Sequence, residues 1–290
     1  MASEPDYGLR RDRSHACAVP WGDEGPSAHW RCPECGRWWE RGWDLAGDQP
    51  TVDYDLLARR AGIPRGEIEL ERQRIVYAEG PGLDYVLWIP DRAPEGRGWP
   101  MIVYLHGGGE GGGHPSCAAR GGLPRQIEQG LTAPWVVVSP HCPNPPQPNR
   151  PSWSEFRDEV AAVVDEVRLK YPVDETAILL TGASMGGYGT WDLATRCDGM
   201  FSAAAPVSGG GDPLRAESLA RLPLCVVHGA QDTVVPVERS LEMVRAIRGH
   251  GGEVREVIYP DAGHGDATER AYAPGSELYD WFAAVLAAGG

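Results

Sequence analysis

The sequence predicts an α/β protein in which helices cover both faces of a mostly parallel sheet. Continuously apolar runs such as MIVYL (101–105), WVVVSP (135–140) and AILLTG (177–182) predict strands that are buried on both faces. Segments between such runs, at 154–171 and 237–250, carry apolar residues at three-to-four spacing, which predicts amphipathic helices. The alternation of strand and helix along the chain favours parallel pairing of the strands.

The other elements follow from the same patterns. Three more buried strands are predicted at 203–208, 224–229 and 256–260. Helices are predicted at 188–197 and 276–288. Two earlier runs, at 68–78 and 83–90, mix polar and apolar residues, so they are predicted to be edge strands of a meander.

Three parts are predicted for the chain, because 290 residues exceed one typical domain. Residues 1–50 are rich in Trp, Gly and charge but lack a sustained apolar period, so this segment needs a metal or a neighbouring surface to fold. Residues 51–67 are predicted to form a short linker helix. Residues 68–290 then form the large α/β domain.

Composition argues against several classes of partner. The chain has 27 basic and 41 acidic residues, a net charge of −14, which disfavours binding to nucleic acid or to an anionic membrane surface. No apolar run approaches the roughly 20 residues that span a bilayer, and the first residues lack the order of a signal peptide. We therefore expect a cytoplasmic protein. The seven cysteines contain only one close pair, so we expect no structural disulfides.

The stretch TGASMGG contains a candidate nucleophile. Gly182, Ser184 and Gly186 fit the pattern G-x-S-x-G, and this pattern stands between a predicted strand and a predicted helix. Small residues two positions before and after the serine permit the tight turn that exposes its hydroxyl above the sheet. The sequence therefore predicts Ser184 as a nucleophile, the alternative being a glycine-rich loop.

A serine hydroxyl needs a base, and an imidazole base needs an acid that fixes its tautomer. Asp232 follows the strand LCVVHG, and His264 follows the strand EVIYP. The order Ser184, Asp232, His264 is the order expected of a nucleophile elbow on an α/β sheet. Asp261 and Asp266 are rival acids, but they lie too close in sequence to His264 to come from a separate strand end.

An oxyanion hole is expected in the stretch YLHGGGEGGGH. Its glycines allow close approach of the backbone, and we predict the backbone N–H groups of Gly108 and Met185 as the donors. The loop lacks the Lys-Ser/Thr of a phosphate-binding P-loop. His106 and His228 are predicted to brace their loops by hydrogen bonding rather than to act as bases.

These motifs together resemble the α/β-hydrolase esterases known as predicted peptidases. The resemblance covers about residues 68–288 and is carried by YLHGGGEGG, SPHCP, TGASMGGYGTWDLA, AAAPVSGGGDP, HGAQDTVVP and GHGDA. Such proteins are similar to feruloyl esterases, polyhydroxybutyrate depolymerases and the catalytic domain of prolyl oligopeptidases. The resemblance implies an α/β-hydrolase fold and serine hydrolase chemistry on carboxylic esters, with Ser184, Asp232 and His264 at the matching motif positions. Its departure is that no aromatic residue follows His264 until Tyr272.

The first fifty residues contain a candidate metal site. Cys32 and Cys35 have the C-x-x-C spacing of a zinc knuckle, and His15 and Cys17 are the best candidates for the remaining ligands, with His29 in reserve. A structural zinc is therefore expected, the alternative being two free thiols. Six arginines against nine acidic residues over 1–50 give this segment a net charge of −3, which does not favour nucleic acid.

The expected function is a serine esterase that acts on a small-molecule ester and needs no cofactor for catalysis. Two alternatives remain open. The same machinery can cleave amides, as in a peptidase of the prolyl oligopeptidase type. The chain could also be a non-catalytic interaction protein that carries a zinc-ribbon-like segment on a degenerate hydrolase scaffold.

Overall fold

A computed structural model describes residues 29–31, 38–40, 66–70, 73–90, 94, 96–111, 115–143, 152–197 and 199–288. The strands are β1 (His29–Arg31), β2 (Trp38–Glu40), β3 (Gly66–Leu70), β4 (Gln73–Glu79), β5 (Asp84–Pro90), β6 (Trp99–Leu105), β7 (Val136–Pro140), β8 (Val173–Ala183), β9 (Ala203–Val207), β10 (Leu224–Gly229) and β11 (Val254–Tyr259). The helices are α1 (Gly122–Glu128), α2 (Arg157–Lys170), α3 (Met185–Arg196), α4 (Glu238–Gly249), α5 (His264–Tyr272) and α6 (Glu277–Ala288). Among these residues, no helix combines the length and the apolar character that crossing a bilayer requires.

Nine of the described strands form one sheet in the order β11-β10-β9-β8-β6-β7-β5-β4-β3. The strands from β11 to β7 pair in parallel, whereas β5, β4 and β3 add an antiparallel edge. Parallel strands place their carboxyl ends at one edge of the sheet, so the residues that follow β6, β8, β10 and β11 lie on the same side of the molecule. This is the edge at which the predicted site residues occur.

Helices cover both faces of this sheet, as predicted. One apolar cluster joins the sheet to α2, α3 and α4 through residues such as Val164, Trp191 and Val244. A second cluster joins the opposite face to α1, α5 and α6 through Leu123, Tyr272 and Phe282. The continuously apolar strands β6 to β10 are therefore buried between two helical layers.

The prediction of an edge position for residues 83–90 was wrong. Strand β5 pairs with β4 on one side and β7 on the other, and its residues after Asp84 are buried. The polar side-chain atoms of β5 suggest an exposed strand, but they are buried and form hydrogen bonds with residues of the covering helices. Tyr85 donates its hydroxyl hydrogen to Glu166 of α2 at 2.9 Å, and the Trp88 indole donates to Glu128 of α1 at 3.1 Å.

The predicted domain limits concern mainly the first part of the chain. Residues 51–65, where most of the linker helix is predicted, lie outside the described residues, while Gly66 and Glu67 belong to β3. Within the first fifty residues, β1 and β2 pair antiparallel, and His29 lies opposite Glu40 in the register. The run predicted as one strand at 68–78 forms the two antiparallel strands β3 and β4.

Candidate active site

Ser184 occupies a strained turn between β8 and α3. Its φ of 57° and ψ of −116° are values that side-chain-bearing residues rarely adopt. The Ser184 N–H donates to the Val207 carbonyl of β9 at 3.0 Å, and the Ser184 carbonyl accepts from the Tyr188 N–H of α3 at 3.0 Å. The backbone of the turn is thus tied to a strand on one side and to a helix on the other, as the G-x-S-x-G pattern predicts.

The two glycines of the pattern are required by close packing against the end of β6. A Cβ atom at Gly182 would lie 2.5 Å from the Leu105 carbonyl oxygen, and one at Gly186 would overlap the same oxygen. Real Cβ atoms do not approach a carbonyl oxygen so closely. The elbow and the end of β6 are therefore in direct backbone contact.

The predicted oxyanion loop lies beside the nucleophile because it follows directly from that end of β6. A Cβ atom at Gly107 would be 3.8 Å from the Ser184 Cβ atom. Gly108 is the first residue of a 3-10 turn, and Met185 is the first residue of α3. Because the first N–H groups of a helix have no acceptor inside it, both can donate to an oxyanion.

His106 braces this loop with both ring nitrogens. Its Nδ1–H donates to the Gly107 carbonyl at 2.7 Å, and its Nε2 accepts from the Cys142 N–H at 3.0 Å. The Trp153 indole donates to the His106 carbonyl at 3.0 Å. Burial, with a smaller effect of His141, lowers the pKa of His106 to about 3, so the ring is neutral and has no free nitrogen for catalysis.

Asp232 and His264 form a direct pair at the ends of β10 and β11. The His264 Nδ1–H donates to Asp232 Oδ2 at 2.6 Å, which leaves Nε2 as the nitrogen that can accept a proton. Asp232 is almost fully buried, and His264 is partly exposed. This is the arrangement in which a carboxylate fixes the tautomer of an imidazole base.

The Asp232 carboxylate is held in its ionised form. Its Oδ1 atom accepts the N–H groups of Val234 at 2.9 Å and of Val235 at 2.8 Å. Burial acts to raise the pKa of Asp232, but the hydrogen bonds from His264, Val235 and Val234 together bring it below its ordinary value.

The rival acids do not reach the site in this way. Asp261 accepts two hydrogen bonds from Arg270, at 2.7 and 3.0 Å, on the exposed surface. Asp266 is exposed in the first turn of α5. Of the three candidate acids, Asp232 alone contacts His264 among the described hydrogen bonds.

Ser184 and the Asp232–His264 pair stand at strand ends of the same edge, with β9 between them. No hydrogen bond joins Ser184 to His264 in the part of the chain that the structure describes. In unliganded enzymes such contacts are commonly long and tighten when substrate binds. The structure therefore pairs two of the three predicted residues directly and places the third on an elbow at the same edge of the sheet.

Two residues near the site were not predicted. Ser240 of α4 contacts the buried ring of His228, and the side chain of Glu110 lies against Gly107 and Gly121. Burial raises the pKa of Glu110. No local sequence pattern marks Ser240. Glu110 is marked, because it is an acidic residue inside a glycine-rich loop.

A cleft of about 250 Å³ lies beside α3, beginning one helical turn after Ser184. Its walls include the aromatic residues Tyr188 and Trp191 and the charged residues Asp212 and Arg215. None of Ser184, Asp232 and His264 is among the residues that line this cleft.

The cysteines of the described part are thiols packed in the fold. Cys117, Cys142 and Cys225 are buried, Cys197 is half-buried, and none of these four described cysteines forms a disulfide. Burial raises the pKa of Cys225 to about 12, which makes it inert as a nucleophile. Cys225 is therefore a packed thiol of the core.

The predicted zinc ligands His15, Cys17, Cys32 and Cys35 lie outside the described residues. The reserve ligand His29 belongs to β1. Within the residues that are described, no group of three or more His, Cys, Asp and Glu side chains could hold a metal ion.

Comparison with known sequences finds hydrolases. The Prolyl oligopeptidase family matches residues 212–289, a segment that contains Asp232 and His264 but not Ser184. A protein of Salmonella typhimurium named "Putative carboxymethylenebutenolidase" is 27% identical over 129 residues, which are 38% of this chain and 47% of that protein. The chain thus spans about half the length of that relative. A "Probable feruloyl esterase C" of Aspergillus terreus is 23% identical over 201 residues, 64% of this chain and 68% of that protein.

Comparison with solved structures finds the same fold. A thermostable esterase superposes with a TM-score of 0.59 and 27% sequence identity, covering 74% of this chain and 63% of that one. The described architecture and this similarity identify an α/β-hydrolase fold, and the similarities together support a hydrolase.

Gly186→Ala tests the backbone contact between the elbow and β6. The added methyl group would overlap the Leu105 carbonyl oxygen, so we expect a loss of unfolding free energy of about 2 kcal/mol or more, measured by urea unfolding. Gly249→Ala in α4 is the matched control, since its Cβ would meet nothing within 4 Å. Equal stability of the two variants would contradict the contact.

His106 should make the free energy of unfolding decrease as pH falls. Its pKa is about 3 in the folded chain and about 6.5 when unfolded, so its contribution is complete above pH 6.5 and is lost as pH falls toward 3. Between pH 7 and pH 5 it should account for roughly 2 kcal/mol of lost unfolding free energy. In His106→Asn this part of the pH dependence should be absent from urea unfolding at the two pH values, whereas the exposed His250→Asn should retain it. A wild-type pH dependence in His106→Asn would refute the assignment.

Proposed function

We propose that this protein is a serine esterase that cleaves a carboxylic ester through an acyl-enzyme intermediate. The observation that carries the proposal is the 2.6 Å hydrogen bond from His264 to the buried carboxylate of Asp232, at the same sheet edge as the strained Ser184 elbow. A carboxylate, an imidazole with one free nitrogen and an exposed hydroxyl are the three groups that this chemistry needs.

In the proposed reaction, the Ser184 hydroxyl oxygen attacks the ester carbonyl carbon while its hydrogen passes to His264 Nε2. The resulting imidazolium is stabilised by Asp232, which accepts its Nδ1–H. Negative charge develops on the former carbonyl oxygen, and the backbone N–H groups of Gly108 and Met185 are the proposed donors to it.

Collapse of this intermediate breaks the bond to the alkoxy oxygen, which takes the proton from His264 Nε2 and leaves as the alcohol. Water then repeats the sequence on the acyl-Ser184 ester and releases the acid. Every proton moves between groups of the chain, substrate and water, so we propose no cofactor for catalysis.

Ser184→Ala tests this function. Loss of the nucleophile should lower turnover of p-nitrophenyl acetate by about 10⁴-fold or more and abolish labelling by a fluorophosphonate. Ser218→Ala, at an exposed serine, is the control and should keep both properties. Undiminished turnover in Ser184→Ala would refute the proposal, and a parent chain that does not label would favour a non-catalytic interaction protein.

Amide cleavage is the second candidate, because the matched Prolyl oligopeptidase family is described as a peptidase family. Turnover of matched peptide and ester substrates, including esters of larger acids than acetate, separates the two candidates.

We also propose one structural zinc ion, held by His15, Cys17, Cys32 and Cys35. Three thiolates and one imidazole suit tetrahedral zinc, and the antiparallel pair β1 and β2 stands on either side of the C-x-x-C sequence. Such a closed site has no open position for substrate, so its role would be to stabilise the fold of this segment.

Elemental analysis of the purified full chain tests the metal proposal. About one zinc per chain is expected, and none in Cys32→Ser, because the remaining three ligands cannot complete the site. Cys197→Ser, at a free cysteine of the hydrolase domain, is the control and should retain the metal. A parent chain without zinc would end the proposal.

A further inference from the structure

A second imidazole lies against the acid of the site. His228 is fully buried in β10, and its Nε2 atom is 2.9 Å from the Val235 carbonyl oxygen and 3.3 Å from Asp232 Oδ2. His264 contacts the same oxygen of Asp232 from the exposed side. The carboxylate of Asp232 is thus placed between two rings, of which the proposed reaction uses only one.

The neighbours of His228 Nε2 show that this nitrogen is protonated. A carbonyl oxygen and an ionised carboxylate can only accept, so Nε2 must carry a hydrogen that it shares between Val235 and Asp232. The stronger bond goes to the Val235 carbonyl at 2.9 Å. Val235 in turn donates its own N–H to Asp232 Oδ1 at 2.8 Å. His228 therefore contacts both the carboxylate and the backbone that holds it.

The opposite nitrogen of the ring faces a serine. Ser240 Oγ is 2.8 Å from His228 Nδ1 and 2.9 Å from the Gly209 carbonyl oxygen, and its single hydrogen can serve only one of them. Burial lowers the pKa of His228, against opposing effects of the Val235 carbonyl and Asp232, so the ring holds one hydrogen at neutral pH. That hydrogen is on Nε2, and Nδ1 accepts from Ser240.

We propose that His228 is a positioning residue for the Asp232–His264 pair, which fixes the Asp232 carboxylate and limits how strongly that carboxylate attracts the proton of His264. A donor on Oδ2 disperses part of the negative charge that His264 would otherwise experience. This proposal rests on the proposed function, in which His264 is the general base.

The consequence concerns the pH at which the base becomes available. Without the His228 donor, Asp232 would hold the His264 imidazolium more strongly, so His264 would remain protonated to a higher pH. Two other titratable groups of this region are Tyr188 of α3, which interacts electrostatically with Asp232, and Arg239 of α4, which interacts with Tyr188. Both are unchanged in the variants below and form a constant background.

The proposal can be tested by comparing two side chains of similar length at position 228. His228→Gln keeps an N–H donor that can reach Asp232 and Val235, whereas His228→Met has similar bulk without a donor. In His228→Met we expect the acid limb of kcat/KM to move to higher pH by on the order of 0.5 unit or more. In His228→Gln it should remain close to that of the parent.

Ser240→Ala separates positioning from a purely structural role. It removes the partner of Nδ1 but leaves the Nε2 donor, so this variant should be less stable to urea while its acid limb stays in place. An acid limb in His228→Met equal to that of the parent would overturn the proposal. So would an equal displacement in Ser240→Ala, because loss of stability alone would then explain the effect.

Two NMR measurements keep the test independent of ester turnover. Ring ¹⁵N spectra of the parent chain should show His228 protonated at Nε2 only at pH 7, and an Nδ1–H tautomer would overturn the proposal without any variant. The titration midpoint of the His264 ring should rise in His228→Met even if no ester is cleaved. Failure of the esterase assay with this rise intact would therefore count against the proposed function and not against the role of His228.

Discussion

The candidate site depends on a backbone contact between the elbow and the end of β6. Gly182 and Gly186 approach the Leu105 carbonyl oxygen more closely than any side chain would permit. Leu105 is the last residue of β6, so the next residues, His106 and Gly107, begin the oxyanion loop at the same point. The nucleophile and the loop are consequently neighbours because two strands meet without side chains between them. The geometry of the candidate site follows from packing of the main chain.

Three histidines near the site show how surroundings assign different roles to one ring. His106 is fully buried and has both nitrogens bonded to backbone groups, so it can only support its loop. His228 is also buried and has both nitrogens engaged. His264 is partly exposed and engages one nitrogen only. The free Nε2 distinguishes it as the proposed base, and this distinction rests on the hydrogen bonds of each ring rather than on residue type.

The sequence predicted the parts of the site that short motifs encode. Each of the three predicted catalytic residues follows the end of a strand: Ser184, Asp232 and His264. Such strand ends can be predicted because strands that are buried on both faces are continuously apolar. Position within the sheet was harder, since the tyrosine and tryptophan of β5 resemble edge residues until Glu166 and Glu128 reach them from the helices.

Short helices and tertiary contacts could not be predicted from local sequence patterns. Helix α1 spans only seven residues from Gly122 and contains Pro124, so the spacing of Leu123 and Ile127 is too short a pattern to predict a helix. Helix α5 begins at His264 itself with a mostly polar first turn. The contact between His228 and Ser240 joins a strand to a helix, and neither residue has a local signal that names its partner.

Charge at the site is divided between two acids by their surroundings. Asp232 is held ionised by its hydrogen bonds, although burial opposes this. For Glu110, burial raises the pKa and outweighs the opposing effect of the N–H groups of Glu110 and Gly107. An anion at Asp232 stabilises an imidazolium at His264, whereas an anion at Glu110 would oppose an oxyanion beside Gly107. Opposite pKa shifts of two carboxyl groups are a feature of sites in which each acid has a different role. In this chain the acid with the lowered pKa contacts His264, and the acid with the raised pKa lies in the loop that is proposed to bind the oxyanion.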